Sequence, residues 1–277
     1  AAKFWSVDEE KDSDKSAKRR IREKNHRRLK RRLYDAFDGS ASVSQKKFVN
    51  QILDQHRGEG LSEEDVLLDC TEYRIVFRDV ARANDERTMI ASVIPSGTVC
   101  VNTLHTIRPY TIEPDEDDLS TKPLHGVYER VFTDKELFAA LGLLNSIPFD
   151  FLMRTKSDTH IVMYKFEESQ MPHLTAGDDW FEYISNRAAR LNCYGGEFEE
   201  MRERLGGVHP ATDKDERLKL QAEIAAAAFH AYGLNQQDVE FVLEDFHRVN
   251  NARKMTREYF HMVFEKYDEL ENRGPKP

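Results

Sequence analysis

The spacing of apolar residues changes along this chain, and that change restricts the possible folds more than any other feature. Between residues 73 and 102 the apolar residues are mostly β-branched or aromatic and stand in short runs. This pattern predicts strands at 73–80, 88–94 and 98–102. After Pro172 they recur every three or four residues, which predicts helices to the end of the sequence. Strands gathered in one region indicate an α+β fold with a small sheet.

The same pattern divides the chain into three regions. We expect a basic helical arm over residues 1–38, a central mixed α/β region containing the small sheet over 39–175, and a helical C-terminal region over 176–277. The predicted fold is therefore α+β, with its strands confined to the central region.

Several helix starts and one further strand can be predicted from local signals. Residues that commonly cap helices stand at Thr133, Asp213 and Thr256, each ahead of an apolar helical pattern. Glu136 completes a capping-box pattern with Thr133. The β-branched run at 159–164 predicts another strand.

Charge is distributed unevenly along the sequence. The 277 residues have a net charge of −9, but residues 18–32 hold ten Lys or Arg and a single acid, Glu23. That segment therefore carries +9, and the remaining 31 basic and 49 acidic residues carry −18. An acidic body with one basic arm indicates a polyanionic partner for the arm, or an acidic surface of the same protein. A solvated basic helix is the alternative, and it stays open here.

Features absent from the sequence argue against several classes of protein. No run approaches the ~20 apolar residues that cross a bilayer, and no secretory signal pattern is present, so we expect no membrane segment and a cytoplasmic location. Cys70, Cys100 and Cys193 lie far apart, which argues against a disulfide framework or a zinc site. The sequence lacks Walker and dinucleotide glycine loops, a GxSxG elbow and HExxH. We therefore expect no catalytic residue, metal or cofactor site in this chain.

The first group of residues with relevant chemistry lies between two predicted strands. Its candidate DNA-binding members are Arg74, Arg78, Arg82, Asn84 and Arg87. Arg and Asn side chains match the edges of guanine and adenine, and Arg also binds phosphate in a bidentate manner. The alternative is a salt-bridged turn in which Asp79, Asp85 and Glu86 neutralise the arginines.

A second group follows the helix predicted from Thr133. Its candidate members are Asn145, Ser146, Arg154 and Lys156, which could contact a phosphate backbone. The alternative is that Asn145 and Ser146 cap a break between two helices. Neither interpretation is excluded by the sequence.

These two groups, in this order, resemble the C-terminal portion of large adenine-N6 DNA methyltransferases from restriction-modification and phage-defence systems. The resemblance is to PglX-like enzymes and to those with a TaqI-like specificity domain. The matching segments are Phe77–Ala81, Asn84–Ala91, Ile94–Pro95, Leu143–Ser146, Phe149–Arg154, Glu168–Pro172 and Tyr232–Leu234. The order of these segments is more specific than any one of them.

The resemblance implies the target-recognition part of such an enzyme, which binds double-stranded DNA and selects its base sequence. The family's Asn-Pro-Pro-aromatic motif and its glycine-containing strand end for S-adenosylmethionine are absent from this sequence. The resemblance therefore implies that S-adenosylmethionine and methyl transfer belong to a catalytic domain upstream in the same polypeptide or on a separate subunit.

On this hypothesis the basic arm adds phosphate contacts that do not depend on base sequence. The arm residues expected to make them are Arg19, Arg22, Arg28 and Arg31. One alternative is a non-catalytic protein-interaction subunit of a defence complex, bound through the acidic helical tail. A DNA nuclease is the third hypothesis, although no acid-x-Lys element follows Pro114-Asp115.

Overall fold

The regular elements are mostly helical, and the strands lie between residues 74 and 130. The computed structural model of the chain describes residues 27, 30–35, 44–58, 69–82, 85–112, 128–246 and 252–275. The strands are β1 (Arg74–Arg78), β2 (Ala91–Ile94), β3 (Leu104–Thr106), β4 (Tyr110–Ile112) and β5 (Tyr128–Arg130). The α-helices are α1 (Gln45–Gly58), α2 (Asp134–Leu144), α3 (Ile147–Lys156), α4 (Met163–Glu167), α5 (Asp179–Asn192), α6 (Glu199–Arg204), α7 (Lys214–Ala231), α8 (Gln236–Phe246) and α9 (Arg257–Arg273). Short 3-10 helices occur at Asp69–Thr71 and Gly196–Phe198. The predicted α+β class is confirmed.

The described residues divide into two compact units. The hairpin unit comprises those within Ala1–Arg74, Ser96–Val99 and Arg108–Val131. The helical unit comprises those within Ile75–Pro95, Cys100–Ile107 and Phe132–Pro277.

The hairpin unit is organised around the antiparallel pair of β4 and β5. Tyr110 and Tyr128 pack edge to face, with 6.3 Å between ring centroids. Arg74 is buried and donates to the backbone oxygens of Glu72, at 3.4 Å, and Thr98, at 2.5 Å. Of the predicted basic helix, the structure describes only residues 27 and 30–35, which are helical, and the rest of the arm lies outside the described residues.

The sheet of the helical unit has the strand order β2–β1–β3, and β1 runs antiparallel to β3. Residues 75–77 of β1 are all buried, so both faces of this strand are covered by the protein. Phe77 stacks on Phe166 of α4 with 4.5 Å between ring centroids. The strand predicted at 73–80 is therefore confirmed over 74–78.

The strand predicted at 88–94 begins only at Ala91. The backbone N–H groups of Thr88 and Met89 donate to Oδ1 of Asp150, at 2.8 and 2.5 Å, instead of joining a strand ladder. A side chain from α3 thus satisfies the backbone groups of residues whose composition predicts a strand.

Two other predicted strands are wrong. Residues 98–102 contain no strand, and the chain turns at 101–104 before β3 begins at Leu104. Residues 159–164 form only an isolated bridge, in which His160 lies opposite Val80. Helix α4 then starts at Met163, so that Phe166 can reach Phe77.

Helix α7 is the centre of the helical unit. Residues 224–229 are buried without interruption, and the helix packs against α2, α3, α5 and α9. A helix buried all round is expected at the middle of a core, and its run of Ala225–Ala228 lets the neighbouring helices approach closely. Helices α2 and α5 also pack closely, at Gly142.

The predicted helix starts are confirmed by their capping hydrogen bonds. Thr133 forms a complete capping box with Glu136. Asp213 and Thr256 accept backbone N–H groups from the first turns of α7 and α9. Ser146 caps α3 by accepting the N–H of Phe149, as the capping alternative for this residue predicts. Among the described residues, no single helix is long and apolar enough to cross a membrane, although the bent pair α2 and α3 meets that test of length and composition together.

Candidate nucleic-acid interface

A buried ion pair joins the two groups of candidate residues. Arg87 donates through Nε to Oδ2 of Asp150 at 2.9 Å, and the Asp150 side chain is fully buried. A second Arg87 nitrogen, Nη2, donates to the backbone oxygen of Asn145 at 2.7 Å. The salt-bridged interpretation of this segment therefore applies to Arg87, but with a partner on α3 instead of a neighbouring acid.

Two further arginines hold the loop that precedes β2. Arg78 donates to the backbone oxygen of Thr88 at 3.0 Å and lies 3.5 Å from a carboxylate oxygen of Asp85. Arg154 is 8% exposed and donates to the backbone oxygens of Asp85, at 3.0 Å, and Glu86, at 3.2 Å. Burial lowers the pKa of Arg154, although nearby carboxylates oppose the shift. These guanidinium groups fix the loop from within the protein.

The outer edge of β2 is covered by two asparagine side chains. Asn145 accepts the N–H of Ala91 and donates to its oxygen, both at 3.0 Å. Asn192 does the same to Val93, also at 3.0 Å in each direction. An amide side chain presents the same donor and acceptor as a neighbouring strand, so the edge is satisfied without a further strand.

The structure separates the remaining candidates by exposure. Arg74 and Ser146 are buried, and they donate to the backbone oxygens of Thr98 and Leu143, respectively. Lys156 is half-buried and donates to the backbone oxygen of Glu168 and to the hydroxyl of Ser169, each at 3.1 Å. Arg82 is exposed. The buried candidates are therefore bonded within the protein and are not exposed to DNA.

Four of the candidate DNA-binding residues lie outside the described residues: Asn84, Arg19, Arg22 and Arg28. Arg31 is the one arm candidate that the structure describes, and it is exposed.

Arg31 lines a cleft of about 470 Å³ in the hairpin unit, which we call the arginine cleft. Arg32 and Arg108, both exposed, line it as well, together with Asp35 and Tyr110. Burial, followed by interaction with Glu72, raises the pKa of Tyr110 to about 12, so its phenol stays neutral at physiological pH. Three cations against one carboxylate make this a positively charged cleft suited to anions.

A second cavity, of about 340 Å³, lies beside β2 in the helical unit, and we call it the β2 cavity. Its basic lining residues are Arg87, Arg217 and Lys254, and its described lining includes no Asp or Glu. Tyr194 lies in the lining with 61% of its surface exposed. Of its described lining, Arg87 and Asn145 were candidates from the sequence, and the other residues come from distant segments with no common motif.

A carboxylate with two histidine partners lies at the end of β1. His105 Nε2 is 3.1 Å from Asp79 Oδ1, and His160 Nδ1 is 3.1 Å from Oδ2. Desolvation raises the pKa of Asp79, but the hydrogen bonds and charges of the histidines outweigh it and leave that pKa below its ordinary value. Within the described residues, no group of three or more His, Cys, Asp or Glu could hold a metal ion.

The cleft residues Arg32, Arg108 and Tyr110 are not among the candidates predicted from the sequence. Arg32 belongs to the basic run, but Arg108 and Tyr110 stand in a short strand segment without a distinctive pattern. Comparison with protein-family models, curated proteins and solved structures gives no match.

Proposed function

We propose that this chain is the DNA-binding target-recognition part of a site-specific adenine-N6 DNA methyltransferase from a restriction-modification or phage-defence system. Its partners are double-stranded DNA and a methyltransferase catalytic domain, present in cis or as a separate subunit. S-adenosylmethionine binds to that catalytic domain, because this chain lacks the glycine-containing strand end that would hold it. No step of methyl transfer is assigned to residues of this chain.

The arginine cleft is the observation that carries the proposal. It brings Arg31 and Arg32, at the end of the basic arm, together with Arg108 from a segment far along the sequence. Guanidinium groups bind phosphate oxygens in a bidentate manner, and Tyr110 adds a neutral phenol. Asp35 offsets part of the positive charge, so the cleft suits a phosphate backbone better than an isolated high-affinity anion.

The coupling of the two resemblance segments supports the same proposal. The segments at 77–91 and 143–154 are connected by the Arg87–Asp150 pair and by the Asn145–Ala91 hydrogen bonds. Two motifs that depend on each other structurally are expected to occur together and in a constant order. In this chain the two segments therefore form one folded substructure.

Duplex binding by the full chain tests the proposal through its dependence on salt. Fluorescence anisotropy with a labelled duplex should show affinity falling steeply between about 50 and 200 mM salt. The double variant Arg31→Glu with Arg32→Glu should lower affinity at least about tenfold and reduce the salt slope by about two.

The matched control is Lys46→Glu with Lys47→Glu, two exposed lysines on α1 that do not line the cleft. This control makes the same change in charge and should alter affinity by less than about threefold. Equal effects of the two double variants, or no duplex binding by the unmodified chain, would overturn the proposed role of the cleft.

A second experiment separates DNA binding from a purely protein-interaction role. The variant with Arg19, Arg22, Arg28 and Arg31 changed to Glu should lose duplex affinity while any complex with a catalytic subunit stays intact. Loss of the complex with duplex affinity retained would favour the interaction subunit. Metal-dependent cleavage of DNA by the purified chain would favour a nuclease.

Site-specific methylation tests the parent activity. Transfer of labelled methyl groups from S-adenosylmethionine to duplex DNA should require the catalytic domain, and its restriction to one sequence should require this chain. Unchanged sequence choice in the absence of this chain would contradict a role in target recognition.

A further inference from the structure

The β2 cavity has the size of a small-molecule site. Pockets that take small ligands run from about 300 to 1,000 Å³, and this one is about 340 Å³. Its buried lining includes Met89, Leu141 and Ile224, which form an apolar surface. A cavity of this volume with an apolar surface can hold a ring system of one or two fused rings.

An aromatic ring and an arginine stand together in the cavity lining. Tyr194 is largely exposed, and the Arg217 guanidinium is 6.0 Å from the centroid of its ring. An exposed tyrosine beside an arginine is a typical platform for stacking a nucleobase. Arg217 is oriented by hydrogen bonds from Nη1 to the backbone oxygens of Leu191, at 2.9 Å, and Ala211, at 2.8 Å.

Positive charge in the cavity complements an anionic portion of the ligand. Arg87 is neutralised by Asp150, whereas Arg217 and Lys254 form no ion pair within the part of the chain that the structure describes. Glu86 accepts the backbone N–H groups of Lys254 and Met255, and its carboxylate interacts electrostatically with Lys254 from outside the cavity lining. Two cations beside an aromatic platform match a phosphate attached to a nucleoside.

Hydrogen-bonding groups remain for the edge of a base. Gln221 lines the cavity, and its amide has no hydrogen-bond partner among the described residues. Asn145 and Asn192 also line it, but their amides are engaged by β2. Gln221 is therefore the amide available to a ligand.

We propose that the β2 cavity binds one nucleotide, with its base on Tyr194 and its phosphate at Lys254 and Arg217. The nucleotide is either free or an unpaired residue of single-stranded DNA, since both present the same base and phosphate. This proposal is independent of the arginine cleft, because its residues all belong to the helical unit.

Calorimetric titration of the full chain tests the proposal with four probes: AMP, adenosine, inorganic phosphate and a short single-stranded oligonucleotide. AMP should bind more tightly than adenosine or phosphate if base and phosphate are both recognised. Tyr194→Ala should weaken AMP binding about tenfold or more, whereas Tyr194→Phe should retain it because the stacking face remains.

Lys254→Ala and Arg253→Ala form a matched pair of neighbouring, exposed cations, of which only Lys254 lines the cavity. Lys254→Ala should weaken AMP several-fold and leave adenosine unchanged, and Arg253→Ala should change neither. Binding of the oligonucleotide but not of AMP, with the same dependence on Tyr194, would show that the bound nucleotide belongs to single-stranded DNA. Failure of AMP and the oligonucleotide to bind, or binding unaffected by Tyr194→Ala, would overturn the proposal.

Discussion

Asp150 shows how one buried residue determines the geometry of the candidate region. Its carboxylate is fully buried, pairs with Arg87 and accepts the backbone N–H groups of Thr88 and Met89. A buried carboxylate requires an opposite charge and hydrogen-bond donors. Here one loop provides both, through the guanidinium group of Arg87 and the two backbone N–H groups. Asp150 therefore decides where β2 begins.

Removal of Asp150 is expected to be costly. Asp150→Ala should lower the free energy of unfolding by about 3–5 kcal/mol, because it leaves a partly buried arginine and two backbone N–H groups without their acceptor. Lys135→Ala is the control, since its ion pair with Glu182 is exposed and should contribute about 0–1 kcal/mol. Chemical denaturation of both variants measures the difference, and similar losses would contradict a structural role for the buried pair.

The free energy of unfolding should depend on pH through the ionisation of Asp79. Its pKa is lowered in the folded protein, so in the interval between the folded and unfolded values the unfolded chain binds more protons and stability rises with pH. The stabilisation by ionised Asp79 is fully present above the ordinary aspartate pKa, and it is lost as the pH falls through the lowered pKa of the folded protein. Asp79→Asn should remove it, so that variant and unmodified protein converge at acid pH. A stability difference that stays constant with pH in denaturant titrations would disprove this.

Residue type and spacing indicated the candidate arginines but not whether each side chain points into the protein or towards solvent. Arg78, Arg87 and Arg154 have the side chains that recognise DNA, yet each donates to a backbone oxygen of the protein. The backbone oxygens that bind Arg87 and Arg154 lie more than 50 residues away in the sequence, as Asn145 does for Arg87, whereas that of Arg78 is only ten residues away. Single-sequence patterns carry no such long-range information, and the arginine cleft was missed for the same reason.

Among the elements, helices were predicted better than strands, for a local physical reason. The starts of α2, α7 and α9 depend on capping residues that lie next to the helix in the sequence. Strand boundaries depend on partners elsewhere. The run at 159–164 has strand composition, but it forms only the isolated bridge between His160 and Val80, outside the strands, and helix α4 follows at once.

The close packing of α2 on α5 depends on the absence of a side chain at Gly142. A Cβ there would overlap Cγ2 of Ile184, a branch held next to the backbone that cannot move away easily. Gly142→Ala should therefore destabilise the protein by about 1–3 kcal/mol, although Ala is favoured over Gly by about 1 kcal/mol inside a helix.

A double-mutant cycle with Ile184→Ala measures that clash directly. Ile184→Ala removes Cγ2, so Gly142→Ala should cost less in this background than in the unmodified protein. Purely additive effects would show that the helices separate without strain at this position.

Over the whole molecule, the charge distribution and the two cavities favour separate binding sites for two different ligands. The net charge of −9 opposes association with DNA, so the duplex binding that we propose would depend on a local concentration of positive charge, as at Arg31 and Arg32. The β2 cavity is lined only by residues of the helical unit, and the arginine cleft only by residues of the hairpin unit. Each can therefore be altered without changing the lining of the other.

Variants of the two cavities should consequently affect different ligands. Arg31→Glu with Arg32→Glu should lower duplex affinity about tenfold and leave AMP affinity unchanged within about twofold. Tyr194→Ala should weaken AMP about tenfold but leave affinity for a fully paired duplex unchanged, because paired bases remain stacked on their neighbours and do not reach the tyrosine. Parallel anisotropy and calorimetric titrations of both variants provide the measurement. Loss of both ligands in either folded variant would mean that the two cavities act on one ligand, because their linings share no residue through which a local change could otherwise affect both.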